Sequence, residues 1–286
     1  MLKSTFCHMP GIGAKTERRL WSAGIVSWQE ACARARDVLA PARADSVREH
    51  AEASIERLSR DDARWFYDRL PSPEQWRLFA QFRHSVAYLD IETTGLGPPS
   101  DHVTTIALYD GRTVRHYVYD DNLHDFRADV EPYRLIVTYN GKGFDVPFLR
   151  ESLGVRMEQA HIDLRYVLWS LGYSGGLKGC ERQLGLARGD LEGIDGFFAV
   201  LLWRDFCGNG NERALETLLA YNVQDTVNLE TLMVRAYNMK LGRTGCAGAR
   251  PIPLPAPGRN PFRADMETVD RIRHEQAWYF AQGAGW

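Results

Sequence analysis

The stretch AYLDIETTGL, residues 87–96, most constrains what this chain can form, because a run typical of a buried strand carries two carboxylates. Side chains alternate along a strand, so Asp90 and Glu92 share one face while Leu89 and Ile91 point to the other. Two like charges about 7 Å apart on one face repel unless water or a cation lies between them. The same alternation is also typical of a solvent-facing strand. Other parts of the sequence must therefore decide between a cation site and a solvent-facing strand.

The overall composition is that of a globular protein, with 286 residues of which 44% are hydrophobic and 25% charged. The net charge of −2 argues against coating nucleic acid by bulk positive charge, although a local basic groove remains compatible with it. Five scattered cysteines disfavour a zinc or iron–sulfur site, and with no signal peptide they predict a cytoplasmic protein. The longest apolar run, residues 197–203, is too short to span a membrane.

Patterning divides the chain into three regions: a helical N-terminal accessory region (1–84), an α/β domain (85–241), and a linker with a C-terminal helix (242–286). The middle region is predicted to contain strands at 85–92, 103–109, 113–119 and 134–139, helices at 122–132 and 146–153, and mostly helix over 162–240. The pair Asp110-Gly111 predicts a hairpin turn. This order predicts a mixed β-sheet flanked by helices.

The terminal regions contain two further signals. Residues 10–13, PGIG, look like half of a helix–hairpin–helix that presents backbone N–H groups to a phosphate, with helix packing as the alternative. A helix is expected to start near Pro73. Residues 242–263 are rich in Pro, Gly and Arg and contain no carboxylate, which predicts an extended linker whose arginines either follow a phosphate backbone or are solvated. An amphipathic helix is predicted at 264–281.

A second acidic position lies in TYNGKGFDVPFL, residues 138–149. A strand ends there, and a short loop delivers Phe144 and Asp145 to the start of a helix. The aspartate is suited to capping that helix. The carboxyl end of a strand is equally where α/β sheets place their sites. Both interpretations remain open at this point.

A third acidic position lies in LLAYNVQDTVNLETL, residues 218–232. Tyr221 and Asp225 are four residues apart and interrupt a stripe of leucines on one helical face. Because burying an unpaired carboxylate is costly, Asp225 needs a partner. The alternative to a site is a Tyr–Asp hydrogen bond within the core.

Four carboxylates therefore come from a strand, a strand–helix junction and a late helix. Brought together, they would repel one another, and divalent metal ions would relieve that repulsion. Ligands that are all oxygen suit Mg²⁺ or Mn²⁺ rather than zinc. Two such ions about 4 Å apart clamp a phosphodiester during in-line displacement.

LDIETTGL, NGKGFDVPFL and YNVQD resemble, in this order, the three motifs of the DEDD 3′–5′ exonuclease superfamily, which has the ribonuclease H-like fold. HIDLRYVLW (161–169) and GGLKGCERQLGL (175–186) extend the resemblance to the bacterial YprB-like group. The resemblance covers about residues 85–240. It implies a metal-dependent hydrolase that removes nucleoside 5′-monophosphates from the 3′ ends of single-stranded DNA and/or RNA.

The resemblance also implies roles for individual residues. Asp90, Glu92, Asp145 and Asp225 would ligate two Mg²⁺ or Mn²⁺ ions. The third motif has its tyrosine form, in which Tyr221 would orient the attacking water. A phenol with a pKa of about 10 is a poor base at neutral pH, so positioning describes its role better.

The predicted substrate contacts are less direct. Lys178 stands where the related group has a lysine and would contact a phosphate, with a surface lysine as the alternative. Phe144 and Leu96 would wedge or stack beside the terminal bases, and Thr93 is assigned to the same group of contacts. Core packing is the alternative for Phe144 and Leu96. Asp163 would either support the site or cap a helix after the last strand, and it is not predicted to be a ligand.

Two rival functions fit the same pattern. One is a nucleic-acid-binding or scaffold protein whose nuclease core has lost activity, and the other is an endonuclease of the same fold. A lost site usually shows a substitution at a ligand position, whereas here all four carboxylates and the tyrosine are present. The sequence therefore favours an active exonuclease.

Overall fold

Five strands form one mixed sheet in the computed structural model, which describes residues 1–97 and 100–281 and, for residues 279–281, the backbone only. The strands are β1 (Val86–Thr93), β2 (Val103–Tyr109), β3 (Val114–Val118), β4 (Leu135–Thr138) and β5 (Ala160–Asp163). Their spatial order is β3-β2-β1-β4-β5, with β1, β2 and β3 antiparallel and β1, β4 and β5 parallel. The predicted mixed sheet and the hairpin at Asp110-Gly111 are confirmed.

Helices precede, interrupt and follow the sheet. Before it lie α1 (Ala14–Ser22), α2 (Trp28–Arg34), α3 (Pro41–Ser59), α4 (Ala63–Arg69) and α5 (Phe79–Phe82). Among and after the strands lie α6 (Phe126–Val130), α7 (Asp145–Leu153), α8 (Leu164–Trp169), α9 (Gly176–Gln183), α10 (Gly196–Asn209), α11 (Glu212–Gly242) and α12 (Met266–Ala281). The helix expected from Pro73 is instead the 3-10 helix Ser72–Leu78 followed by α5, and Pro71 and Pro73 each remove an N–H donor at its start. No helix within the described ranges is both long and apolar enough to cross a membrane.

Strand β1 lies at the centre of the sheet and is covered on both faces. One face carries Leu89 and Ile91, which pack in a cluster with Phe126 and Phe148. The other face carries Tyr88, which belongs to the core shared with α11. The solvent-facing alternative for this strand is therefore wrong. Asp90 and Glu92 lie on the face that α11 covers.

The N-terminal region is helical as predicted and shares a core with the sheet. Trp28 of α2 and Phe66 of α4 stack on each other, with ring centroids 5.5 Å apart, in the cluster that also contains Tyr88. Residues 10–13 form the turn before α1, with Gly11 at a φ of 72°. The segment ahead of this turn contains the short 3-10 helix Leu2–Ser4. Contact of the turn with nucleic acid stays a prediction.

The predicted linker has no helix or strand between residues 243 and 265, as expected, but it packs along α11. Ile252 exchanges two hydrogen bonds with the Asn238 side chain, each of 2.8 Å. Asn260 donates to the Ala220 carbonyl at 2.7 Å. These contacts hold the chain against the domain before α12 begins, so the segment is not simply solvated.

Candidate active site

A cavity of about 760 Å³ opens where the carboxyl ends of β1 and β4 meet α7, α8 and α11. All five residues predicted to be catalytic line it: Asp90, Glu92, Asp145, Tyr221 and Asp225. Glu92, Asp145 and Asp225 are buried, and Asp90 is partly exposed. Residues separated by up to 135 positions in the sequence are therefore gathered in one place.

Three of the carboxylates form a tight group. One oxygen each from Asp90, Glu92 and Asp225 lies within 4.8 Å of the others, and this is a separation that a single cation can bridge. Strand alternation places the first two on the α11 side of β1, as predicted. The register of the pairing with β2 shifts between Glu92 and Thr93, so the regular strand pairing ends at the site.

Asp145 is the first residue of α7, and it does not cap that helix. The capping position is Phe144, and no side chain makes the capping hydrogen bond. The Oδ1 atom of Asp145 is buried and has no hydrogen-bond partner among the described residues. Burying an acceptor without a donor is costly unless a ligand satisfies it. Of the two interpretations of this aspartate, the structure favours the site.

The carboxylates destabilise one another's charges. Desolvation, followed by the charges of neighbouring carboxylates, raises the pKa of Asp90 and Glu92 well above the usual range. Burial also raises the pKa of Asp145 to about 7, although backbone N–H groups, including that of Ile91, oppose this. The protein thus holds acids where their ionised forms are unfavourable without cations. The donors are all oxygens, which is the set that Mg²⁺ and Mn²⁺ prefer.

Tyr221 bonds a lysine rather than the aspartate one turn away. Lys178 Nζ donates to the Tyr221 hydroxyl at 2.6 Å and lies 4.4 Å from the ring centroid. Burial, followed by the charge of Asp225, raises the pKa of Tyr221, so the phenol stays protonated at neutral pH. Burial also lowers the pKa of Lys178, with Asp225 opposing the shift. The Tyr–Asp core hydrogen bond is not formed, and the tyrosine keeps its own proton to donate.

Three polar residues complete the site and were not predicted. Arg188 is buried and forms one ion pair with Asp225 and another with Glu181, the latter with a distance of 2.8 Å. Asn222 donates to Asp90 Oδ2 at 2.7 Å and accepts from a threonine hydroxyl of β2. Asn222 lies within the YNVQD motif, so its position was visible, whereas nothing in the sequence around Arg188 distinguishes it.

The remaining predicted contacts differ in position. Phe144 lines the cavity beside Asp145. Leu96 is 90% exposed, and neither it nor Thr93 is among the described residues that line the cavity. The Thr93 hydroxyl instead donates to the Gly95 carbonyl at 2.5 Å, which closes the turn after β1. Substrate contact by these residues stays a prediction.

Asp163 performs both of the tasks considered for it. It caps α8 by accepting from the Arg165 N–H at 3.0 Å. It also accepts from the Asn140 and Lys142 N–H groups, at 2.8 and 3.1 Å. Those residues belong to the loop that delivers Asp145, so Asp163 fixes that loop without being part of the carboxylate group.

Comparison with known proteins assigns the family. A model of the RNase H superfamily matches residues 87–237, more than half of the chain. The chain is also similar to the family B DNA polymerase from the hyperthermophilic archaeon Pyrobaculum calidifontis, with 20% identity and a TM-score of 0.40. That match covers 58% of this chain and 27% of the polymerase. No curated protein matches significantly. From the family match and the mixed sheet, we conclude that the chain belongs to the RNase H superfamily.

Proposed function

We propose that this chain is a metal-dependent 3′–5′ exonuclease that hydrolyses single-stranded nucleic acid to nucleoside 5′-monophosphates. The observation that carries the proposal is the group formed by Asp90, Glu92 and Asp225, with Asp145 in the same cavity, whose buried Oδ1 has no hydrogen-bond partner among the described residues. Membership of the RNase H superfamily supports nuclease chemistry. The three motifs support the tyrosine form of the DEDD group, with nucleic acid 3′ ends as substrate, and the scattered cysteines support a cytoplasmic location.

The donor set fits divalent ions. Asp90, Glu92, Asp145 and Asp225 would hold two Mg²⁺ or Mn²⁺ ions, because burial and neighbouring carboxylates raise the pKa of Asp90 and Glu92, and the buried Oδ1 of Asp145 has no donor among the described residues. Ions bound there would neutralise charge on the scissile phosphate and lower the pKa of water. Arg188 neutralises part of the charge of Asp225, and Asn222 holds one oxygen of Asp90.

Tyr221 and Lys178 supply the remaining groups. The Tyr221 hydroxyl accepts from Lys178, which leaves its own proton free to hydrogen-bond the attacking water. The ammonium of Lys178 lies where it would also favour negative charge on the phosphate. In the reaction, the water oxygen forms a bond to phosphorus and the bond from phosphorus to the 3′ oxygen of the preceding nucleotide breaks. The products are a nucleoside 5′-monophosphate and a new 3′ hydroxyl.

A cleavage assay tests this proposal. Single-stranded DNA and RNA labelled at the 5′ end would be incubated with Mg²⁺, Mn²⁺ or EDTA, beside the Asp90→Asn variant. We expect a ladder that shortens from the 3′ end, absent in EDTA and in the variant. Cleavage of a circular strand would instead identify an endonuclease. Binding without cleavage under every condition would identify an inactive scaffold, and either result would overturn the proposal.

A further inference from the structure

Two large aromatic side chains line the carboxylate cavity and remain exposed. Tyr166 is 55% and Trp169 72% exposed, and both belong to α8. They are three positions apart, so they are neighbours on one face of the helix. Exposed apolar side chains that lie together at the mouth of a cavity are typical of a ligand-binding surface.

The helix that carries these rings is firmly held. Leu164 and Leu168 are fully buried in the main core, and Asp163 caps the first turn. Because the leucines fix the inward face of α8, Tyr166 and Trp169 must point away from the core. The two rings are therefore presented by a rigid element and not by a loose loop.

A positive charge directly precedes the two aromatic residues in the sequence. Arg165 lines the same cavity, and its guanidinium donates to the side-chain oxygen of Asn140. That oxygen belongs to an uncharged amide, so this hydrogen bond leaves the charge of Arg165 available to a phosphate. The wall thus offers aromatic faces for bases and a cation for the backbone.

We propose that Arg165, Tyr166 and Trp169 form a stacking platform for the unpaired bases next to the nucleotide being removed. The inference rests on the proposed exonuclease function and adds the surface that holds its single-stranded substrate without regard to sequence. Stacking on aromatic side chains tolerates every base, since each base has a π face. Bases within a duplex already stack on one another and do not present their faces to such a wall.

Continuity with the carboxylate group favours a nucleic acid strand over a peptide as the occupant. The same cavity contains Asp90, Glu92 and Asp225 at one part and the aromatic wall at another. A strand whose scissile phosphate reaches the carboxylates must therefore pass along the remaining walls of this cavity. A strand offers both phosphates and bases, which match the cation of Arg165 and the aromatic rings of Tyr166 and Trp169 on the same wall.

Equilibrium binding in EDTA tests the platform independently of cleavage. Fluorescein-labelled (dT)12 and an abasic strand with the same number of phosphates would be titrated with the full-length protein, using anisotropy. We expect Trp169→Ala to weaken binding of (dT)12 by about 5–150-fold. Trp169→Phe should restore most of the affinity. The matched control is Trp278→Ala on α12, which removes a ring that is 57% exposed and should leave binding unchanged.

The abasic strand separates stacking from a general structural effect. The wild-type protein should bind it more weakly than (dT)12, and this difference should be smaller in Trp169→Ala, which keeps only the Tyr166 ring. Equal binding of (dT)12 by wild type and Trp169→Ala would overturn the platform, as would an equal loss for both strands. Base-dependent binding without any 3′ ladder would instead uphold the platform and reject the exonuclease.

Discussion

Glu17 in the N-terminal region and three of the four carboxylates of the cavity are buried, but in opposite environments. Glu17 of α1 accepts hydrogen bonds from the Phe6 and Cys7 N–H groups, and both of its carboxylate oxygens accept from Arg77 Nη1, at 2.6 to 3.1 Å. The carboxylates of the cavity face one another, and Asp145 Oδ1 has no partner among the described residues.

The comparison shows that burial of an acid does not by itself mark a site. Glu17 is as deeply buried as any carboxylate of the cavity, yet its neighbours supply donors and a full positive charge. In the cavity, Arg188 and Asn222 satisfy only Asp225 and one oxygen of Asp90. What distinguishes the candidate site is therefore the excess of negative charge over nearby donors.

Glu92→Gln should have the largest effect on activity and should not reduce stability. Cleavage should fall by at least about 10³-fold, equal to roughly 4 kcal/mol of activation free energy. In EDTA at pH 8 the free energy of unfolding should rise, because the raised pKa of Glu92 means that its ionised form is unfavourable in the fold. Single-turnover rates and urea unfolding measure the two effects. Lower stability with unchanged activity would contradict this account.

Arg77→Met should show the opposite pattern. Removing the cation leaves Glu17 buried without its charge partner, which should cost about 3–5 kcal/mol in the free energy of unfolding. Urea unfolding provides the measurement, and cleavage at low temperature should persist. Arg36→Met is the matched control, since its ion pair with Asp45 is exposed and contributes little. An equal loss of unfolding free energy in Arg77→Met and Arg36→Met would show that the buried ion pair of Glu17 contributes no more than an exposed one.

Tyr221→Phe should reduce kcat by about 10²-fold with little change in stability, because one positioned hydroxyl is lost. Tyr237→Phe is a control on the same helix. Its hydroxyl is also buried but has no partner among the described residues, so cleavage should stay unchanged. Steady-state kinetics on a 3′ end would measure both. A similar loss of kcat for both variants would assign the effect to packing of α11.

The smallest effect concerns His8 of the N-terminal core, where burial lowers the pKa to about 3. Below pH 6.5 His8 binds a proton in the unfolded chain but stays neutral in the folded protein. The free energy of unfolding should therefore fall as the pH drops toward 3. This group contributes at most about 1.4 kcal/mol per pH unit. Urea unfolding at several pH values should give a flatter slope for His8→Gln than for exposed His124→Gln. Identical slopes would show that His8 does not contribute.

Much of the candidate site was visible in the sequence because its acids break apolar patterns. Asp90 and Glu92 interrupt a strand, and Asp225 interrupts a leucine stripe. Each of these patterns predicts a buried carboxylate that requires a hydrogen-bond donor or a cation. The mixed sheet followed similarly from the Asp110-Gly111 hairpin and the strand–helix units.

The residues that the sequence did not reveal act only through tertiary contacts. Arg188 and Glu181 lie in a stretch where charged residues are common, and the ion pairs of Arg188 with Glu181 and Asp225 depend on how residues 181–188 meet α11. The exposure of Tyr166 and Trp169 becomes apparent only once the inward face of α8 is known. Such features depend on the packing of distant segments, which no local pattern encodes.

Titration of Mn²⁺ into the metal-free protein, followed by calorimetry, tests the central claim most directly. The excess of negative charge in the cavity predicts two ions per chain for the wild type, and fewer or more weakly bound ions for Glu92→Gln. Arg77→Met, measured where it is folded, should bind as the wild type does. Absence of saturable binding to the wild type at millimolar Mn²⁺, or equal binding by Glu92→Gln, would contradict the account.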